Sequence, residues 1–150
     1  MDSKGLQFFH SVIWDKLNPG LGLRFRRQHE MILVAHKQGG RLAWNRDVAP
    51  IPNIIAMSPP RDRVHPNEKP VALMQRLINA MSVKGDIVCD PFMGGGTTGV
   101  AAVTLCRQFI GIELDPAHFD IACRRVSDAL SRPRLALDEP RKIEQRVMDL

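Results

Sequence analysis

Two carboxylates and a bare stretch of backbone are the residues of this sequence that could do chemistry. Asp90-Pro91-Phe92-Met93-Gly94-Gly95-Gly96-Thr97-Thr98-Gly99 follows an apolar run ending at Cys89 and precedes an alanine-rich segment, Val100-Ala101-Ala102-Val103. Glycines placed between a strand and a helix let the backbone turn sharply and let a ligand approach closely. Glu113 lies 19 residues beyond Gly94, at the end of Phe109-Ile110-Gly111-Ile112. A carboxylate there can accept hydrogen bonds from two ribose hydroxyls. The combination points to a nucleoside, an adenosine in particular.

Three kinds of ligand compete for such a loop. A phosphate-binding loop needs Gly-Lys-Ser/Thr, but Gly96 is followed by Thr97 and Thr98 and no lysine. A dinucleotide fingerprint needs GxGxxG, and Gly94 to Gly99 fits that string literally, so the glycines alone leave a nicotinamide or flavin cofactor open. Asp90, however, puts a negative charge where a pyrophosphate would lie and suits a cationic group. S-adenosylmethionine carries one, its α-ammonium, and its carboxylate could be met by the amides and hydroxyls at Thr97 and Thr98.

These residues need elements to hold them. Val71, Leu73, Met74, Leu77, Ile78 and Met81 recur at helical spacing, with Pro70 suited to the first turn. Residues 86–90 form a short apolar run, expected to be a buried strand. A helix of small residues is expected over 97–106, a second buried strand over 108–114, and a helix over 116–130 capped by Asp115 with Pro116 behind it. Strand and helix in alternation imply parallel strands with right-handed crossovers. The front of the chain reads differently. Residues 10–16 and 30–37 are rich in strand formers and are joined by a loop containing Asn18-Pro19-Gly20 and the basic residues Arg24, Arg26, Arg27 and His29. An antiparallel pair is expected there. Residues 38–60 read as loop, with a short strand at Asn53-Ile54-Ile55-Ala56-Met57. The whole is an α/β fold, a mostly parallel sheet with an antiparallel edge hairpin.

With 150 residues the chain suits one domain, and 44% hydrophobic against 25% charged residues is ordinary globular composition. The net charge of +5 fits a polyanion partner but does not by itself select one. Cys89, Cys106 and Cys123 are odd in number and form no CxxC pair, which argues against disulfide and zinc frameworks and for a reducing cytosol. Each lies in an apolar segment and reads as a small core residue. No apolar run is long enough to span a membrane, and residues 1–12 lack the apolar stretch of a signal peptide.

The segment 90–126, DPFMGGGTTGVAAVTLCRQFIGIELDPAHFDIACRRV, closely resembles the cofactor-binding part of the S-adenosylmethionine-dependent DNA amino-methyltransferases, which methylate the exocyclic amine of adenine or cytosine. His65-Pro66-Asn67-Glu68-Lys69-Pro70 resembles the segment that closes over the methionine end, and residues 14–37 resemble the stretch after the family's catalytic strand. The resemblance covers residues 8–130. It implies a Rossmann-like class I methyltransferase fold, incomplete here, with a partial domain over 1–131 (antiparallel strands and loop 8–60, cofactor part 65–130) and a charged tail over 132–150. It further implies that Asp90, Phe92, Gly94 and Gly96 shape the pocket, that Thr97 and Thr98 open the helix beside it, and that Glu113 holds the ribose. Lys69 and Pro70 sit near the methionine end, Lys69 as a partner for its carboxylate. Two positions depart from the family: Gly95 stands where a serine is usual, and Phe119 where a tyrosine is frequent.

Transfer to an exocyclic amine also needs acceptors for the amine protons and a ring to stack on the extruded base. The family supplies both from an Asp/Asn/Ser-Pro-Pro-aromatic motif upstream of the strand that holds Trp14, where this chain has only a short stretch. Ser58-Pro59-Pro60-Arg61 has the first three letters but Arg61 in place of the ring. No catalytic residue and no metal ligand is therefore assigned. The expected role is the cofactor-binding part of a DNA methyltransferase in a cytoplasmic, prokaryotic or phage restriction-modification setting. Its partners would be double-stranded DNA, contacted by Arg24, Arg26 and Arg27, and a second polypeptide carrying the catalytic segment. The alternatives are a non-catalytic remnant or subunit that binds S-adenosylmethionine or DNA, and a nicotinamide-dependent oxidoreductase.

Overall fold

The computed structural model describes residues 5–61 and 67–132. The charged tail beyond Arg132 and the His65-Pro66 start of the methionine-end segment lie outside the described residues.

β1 (Leu6–Asp15) and β2 (His29–Lys37) pair antiparallel from Leu6↔Lys37 to Asp15↔His29, with the register shifting between Phe8 and His10. β3 (Ile54–Ala56) returns on the other side of β1 and runs parallel to it, Trp14 facing Ile55. Side chains alternate between faces, so Val12, Trp14, Ile32 and Ile55 share one face and pack against Leu73 of α1 (Val71–Met81). Trp14 anchors this half: it is 2% exposed, and its indole N–H donates to the Met57 carbonyl at 2.7 Å.

The second half alternates strand and helix as expected. β4 (Ile87–Asp90) leads through the glycine loop into α2 (Thr97–Thr104), and β5 (Gln108–Gly111) leads into α3 (Pro116–Ser131). β4 and β5 are parallel, in register from Ile87↔Gln108 to Asp90↔Gly111. Asp115 caps α3, its carboxylate accepting from the Ala117 and His118 amides. Val88 and Phe109 face the helices and join Ile78, Ala101 and Ala102 in a second core. α1 contributes to both cores and so bridges the two halves.

Among the described residues the strands form two sheets rather than one, in the orders β2-β1-β3 and β4-β5. Between them lies a cleft lined by Trp14 near the end of β1, Glu30 near the start of β2 and Asp90 at the end of β4. The carboxyl ends of β1 and β4 thus meet at one place. β3 runs parallel to β1 and β5 parallel to β4, while β2 is antiparallel to β1, which is the mostly parallel arrangement with an antiparallel edge and an incomplete sheet.

Three local expectations need correction. β5 stops at Gly111, because Ile112 bonds the loop instead: its carbonyl accepts from the Met93 amide and its amide donates to the Asp90 carbonyl. Pro70 is the N-cap of α1, with extended ψ, rather than its first helical residue. Cys89 and Cys123 are exposed and Cys106 is half-buried, so the thiols are not core residues. Apolar neighbours in sequence misled there: Cys89 falls on the sheet face opposite Val88, and Cys123 on the outer side of α3 from buried Ala122.

Candidate functional site

The loop after β4 is built by its own hydrogen bonds. Asp90 accepts from the Phe92 amide at 3.0 Å, and Met93 accepts from the Gly96 amide at 2.8 Å. Gly94 and Gly96 both take positive φ, 48° and 78°, a conformation that costs other residues about 1–2 kcal/mol. At Gly96 there is a second reason for glycine. A Cβ there would lie 2.8 Å from the Cα and Cβ of Ala122, so α3 packs directly on the bare backbone that starts α2. The need for glycine at 96 thus comes from the left-handed turn and from helix packing, and the cleft is lined by Gly94 and Gly95 instead.

Glu113 is tied to this loop. One carboxylate oxygen accepts from the Gly94 amide at 2.8 Å; the other accepts from Leu114 and Asp115 at 2.9 and 3.0 Å. The Asp115 amide is the strongest influence on the carboxyl. Desolvation opposes it, but the Gly94 and Leu114 amides add to it and hold Glu113 below the ordinary glutamate range. The two acids of the sequence motif therefore bracket one loop, Asp90 at its start and Glu113 across from Gly94.

The cleft has a volume of about 370 Å³, within the roughly 300–1,000 Å³ usual for small-molecule sites. It brings together Asp90, Phe92, Gly94, Thr97, Thr98 and Lys69 from distant parts of the chain. Phe92 is 86% exposed, an aromatic face at the rim. Glu113, Gly96 and Pro70 are not among the residues that line the cleft.

Lys69 is already engaged. Its ammonium pairs with Glu30 and lies 5.4 Å from the centre of the Trp14 ring. Desolvation pushes the Glu30 carboxyl up, but the hydrogen bond and charge of Lys69, with the charge of Lys16 at 3.6 Å, outweigh it and hold Glu30 below its ordinary range. A ligand carboxylate would share Lys69 with Glu30. Sequence reasoning missed Glu30, although the signal was present: in β2 it shares the parity of Ile32 and Val34, the face turned inward. It also missed Arg125 of α3, which donates to the Gly95 carbonyl and, at 2.6 Å, to Glu68, which also accepts from the Thr97 hydroxyl at 3.4 Å. This clamp ties α3, the glycine loop and the entry to α1 together. Nothing local in the sequence marks it.

A second, more polar cleft adjoins the first along Trp14, Glu30 and Lys69, and is lined by Ser58, Pro59, Pro60 and Arg61 just beyond β3. Of the three loop arginines, Arg26 folds back on its own turn, donating to the carbonyls of Gly20 and Pro19 at 2.8 and 3.1 Å. Arg24 holds a positive φ of 63°, and Arg27 lies beside Lys16 and His29. Leu21 and Leu23 before them, and Phe25 between Arg24 and Arg26, are almost fully exposed.

Comparison with known proteins agrees with this geometry. A family model described as DNA methylase, of the N6/N4 type, matches residues 1–124. The chain is 32% identical to the type II methyltransferase M2.DpnII of Streptococcus pneumoniae over 84% of its length, and 30% identical to M2.LlaDCHI of Lactococcus lactis subsp. cremoris over 85%. It spans about half of each relative, 53% and 54%. Among solved structures it superposes on the M1.HpyAVI–SAM complex with a TM-score of 0.73 at 33% identity, covering 83% of this chain and 65% of that one. On TTHA0409 of Thermus thermophilus, complexed with S-adenosyl-L-methionine, the TM-score is 0.63 at 28% identity, covering 85% and 56%. With a family model matched over residues 1–124 and relatives at 30% identity or more, the chain belongs to the N6/N4 DNA methylase family.

Proposed function

We propose that this chain supplies the cofactor-binding part of an enzyme that methylates an exocyclic base amine in DNA, with S-adenosylmethionine as methyl donor. The observation that carries the reading is the loop held between Asp90 and Glu113 and open to the cleft. Asp90 would meet the α-ammonium, the amide and hydroxyl groups of Thr97 and Thr98 the carboxylate, and Glu113 the ribose. S-adenosylmethionine supplies an electrophilic methyl group on a sulfonium. The chain's own part is to fix that group at the mouth of the cleft, beside exposed Phe92. Binding of S-adenosylmethionine by M1.HpyAVI and by TTHA0409 supports the cofactor, and the type II methyltransferase relatives support the DNA substrate and a bacterial, cytoplasmic setting.

The chemistry on the amine is assigned to a segment other than those matched here. Ser58-Pro59-Pro60 follows a strand, as the family motif does, but Arg61 offers no ring to stack on a base. Calorimetry with S-adenosylmethionine and with the nicotinamide dinucleotides tests the cofactor. Binding of the first and not of the second is expected, and Glu113→Ala should weaken it by about 1.5–3 kcal/mol, as for charge-assisted hydrogen bonds. A transfer assay on DNA tests the division of labour: the 150-residue chain alone is expected to show no turnover. Robust turnover by it would place the catalytic group among these residues.

A further inference from the structure

We infer that Arg125 of α3 is a positioning residue for the amino-acid end of the cofactor, acting through Glu68 and the Gly95 carbonyl. This deepens the cofactor reading and rests on it. It names a contact outside the cleft that sets affinity for one half of the ligand.

The geometry is that of a fork. One guanidinium nitrogen donates to the Gly95 carbonyl and another, at 2.6 Å, to the Glu68 carboxylate. The same carboxylate oxygen accepts from the Thr97 hydroxyl at 3.4 Å. Gly95, Thr97 and Glu68 all line the cleft, and Arg125 does not. Arg125 thus stands outside the wall and holds three parts of it: the glycine loop, the first residue of α2 and the segment entering α1. The next residue, Lys69, runs the other way and pairs with Glu30 of β2 beside the Trp14 ring. Two adjacent side chains therefore anchor one segment to opposite partners, Glu68 to α3 and Lys69 to β2.

Charge decides what this fork is for. The Glu68 side chain is only 5% exposed. A carboxylate so little hydrated is costly unless a cation answers it, and Arg125 does. Without Arg125 the segment has two poor choices. It can keep an uncompensated negative charge at the start of α2, where the ligand's own carboxylate is assigned, or it can swing out toward water. Either one damages the amino-acid end. The ribose end is held separately, by Glu113 on the Gly94, Leu114 and Asp115 amides, a set that shares no residue with the fork. The effect of Arg125 is therefore polarised along the ligand. Lysine is a poor substitute, because a point charge on one stem cannot serve a backbone carbonyl and a carboxylate as a planar guanidinium does.

Two ligands separate the ends. S-adenosylhomocysteine and methylthioadenosine share the thioether nucleoside, and only the first carries the amino-acid arm. Both are titrated calorimetrically into the 150-residue chain and its variants. Arg125→Ala should weaken S-adenosylhomocysteine about tenfold or more and Arg125→Lys about fivefold, with methylthioadenosine held within about twofold in both. Glu113→Ala, on the ribose side, should weaken both ligands together. Arg125 variants that lower both affinities alike would make Arg125 a packing residue and overturn the inference. So would variants that lower the melting temperature and change neither affinity. Arg125→Lys carries the test where Arg125→Ala does not fold. Failure of the cofactor reading has its own signature, an unaltered chain that binds neither ligand, and that result overturns the reading and the inference together.

Discussion

Glu113 holds its own loop, and the ribose role proposed for it would carry a pH signature. The Asp115, Gly94 and Leu114 amides favour its ionised form, so its folded-state pKa is below the ordinary value of 4.5. A depressed carboxyl delivers its contribution above the unfolded value and loses it only as pH falls through the folded one. Affinity for S-adenosylmethionine is therefore expected to stay flat from about pH 7.5 to about pH 5 as far as this carboxyl sets it. Calorimetric titration across that range checks it; a decline already between about pH 7 and 6 would point to another group. Glu30 obeys the same sign for a different reason, the ammonium of Lys69. Lys69→Met should lower the melting temperature at neutral pH, and the difference from the unaltered chain should shrink as pH drops below 4.5, where Glu30 begins to protonate. A difference that is constant down to about pH 3 would mean that Lys69 acts through its contact with Trp14 alone.

At the scale of elements, two glycines separate backbone strain from crowding. Gly96 has both, a φ of 78° and Ala122 at 2.8 Å from where its Cβ would be. Gly99, inside α2, has only the crowding, with the Phe109 ring at 2.6 Å and Val126 at 2.7 Å. Gly96→Ala is expected to cost about 2–5 kcal/mol, left-handed strain plus overpacking, and Gly99→Ala about 1–3 kcal/mol from overpacking alone. Urea denaturation ranks them; a Gly99 variant at least as damaging would mean that the left-handed turn contributes little. The basic loop between β1 and β2 divides similarly. Arg26 is spent on the carbonyls of Pro19 and Gly20, whereas Arg24 and Arg27 flank it on the same loop. Once a complete enzyme is assembled, Arg24→Ala and Arg27→Ala should each flatten the salt dependence of DNA binding by about 0.9 in log–log slope, one phosphate contact apiece. Equal slopes for variant and parent would place the loop away from DNA.

Element boundaries also show what a linear reading can recover. α3 is legible because Asp115 and Pro116 announce it, and α1 because its apolar residues keep a helical period. The residues that contact across the fold carry no such mark. Glu30 meets Lys69 across 39 positions and Arg125 meets Glu68 across 57, and no local pattern encodes a distance of that kind. The cysteines show a related limit: apolar sequence neighbours do not imply burial, and the sheet face carrying Cys89 has nothing over it among the described residues. Incomplete covering is a property of the tertiary structure, and composition gave no sign of it.

For the whole molecule, the question is what makes two separate sheets behave as one folded unit. No strand joins them among the described residues, so coupling runs through α1, α2 and the side chains that lock their ends. Arg107 is the lock. Only 5% exposed, its guanidinium reaches the Ser82 hydroxyl and carbonyl at the end of α1, the Asn79 side chain, and the Leu105 carbonyl at the end of α2, at 3.0, 2.6, 3.2 and 2.6 Å. A planar fork of donors can serve such a set of acceptors, and an ammonium on a single stem cannot. Arg107→Ala should cost about 2–4 kcal/mol by leaving buried acceptors unpaired, and Arg107→Lys should recover little of it. The informative readout is cooperativity. Buried Trp14 reports on the β1–β3 half, while far-ultraviolet dichroism is dominated by the helices of the other half. In the unaltered chain the two probes should unfold together; with Arg107 replaced they should separate, the tryptophan signal moving first because that half keeps the smaller share of the helices. Coincident transitions in the variant would show that α1 packing alone couples the halves, with Arg107 serving only its own end of the helix.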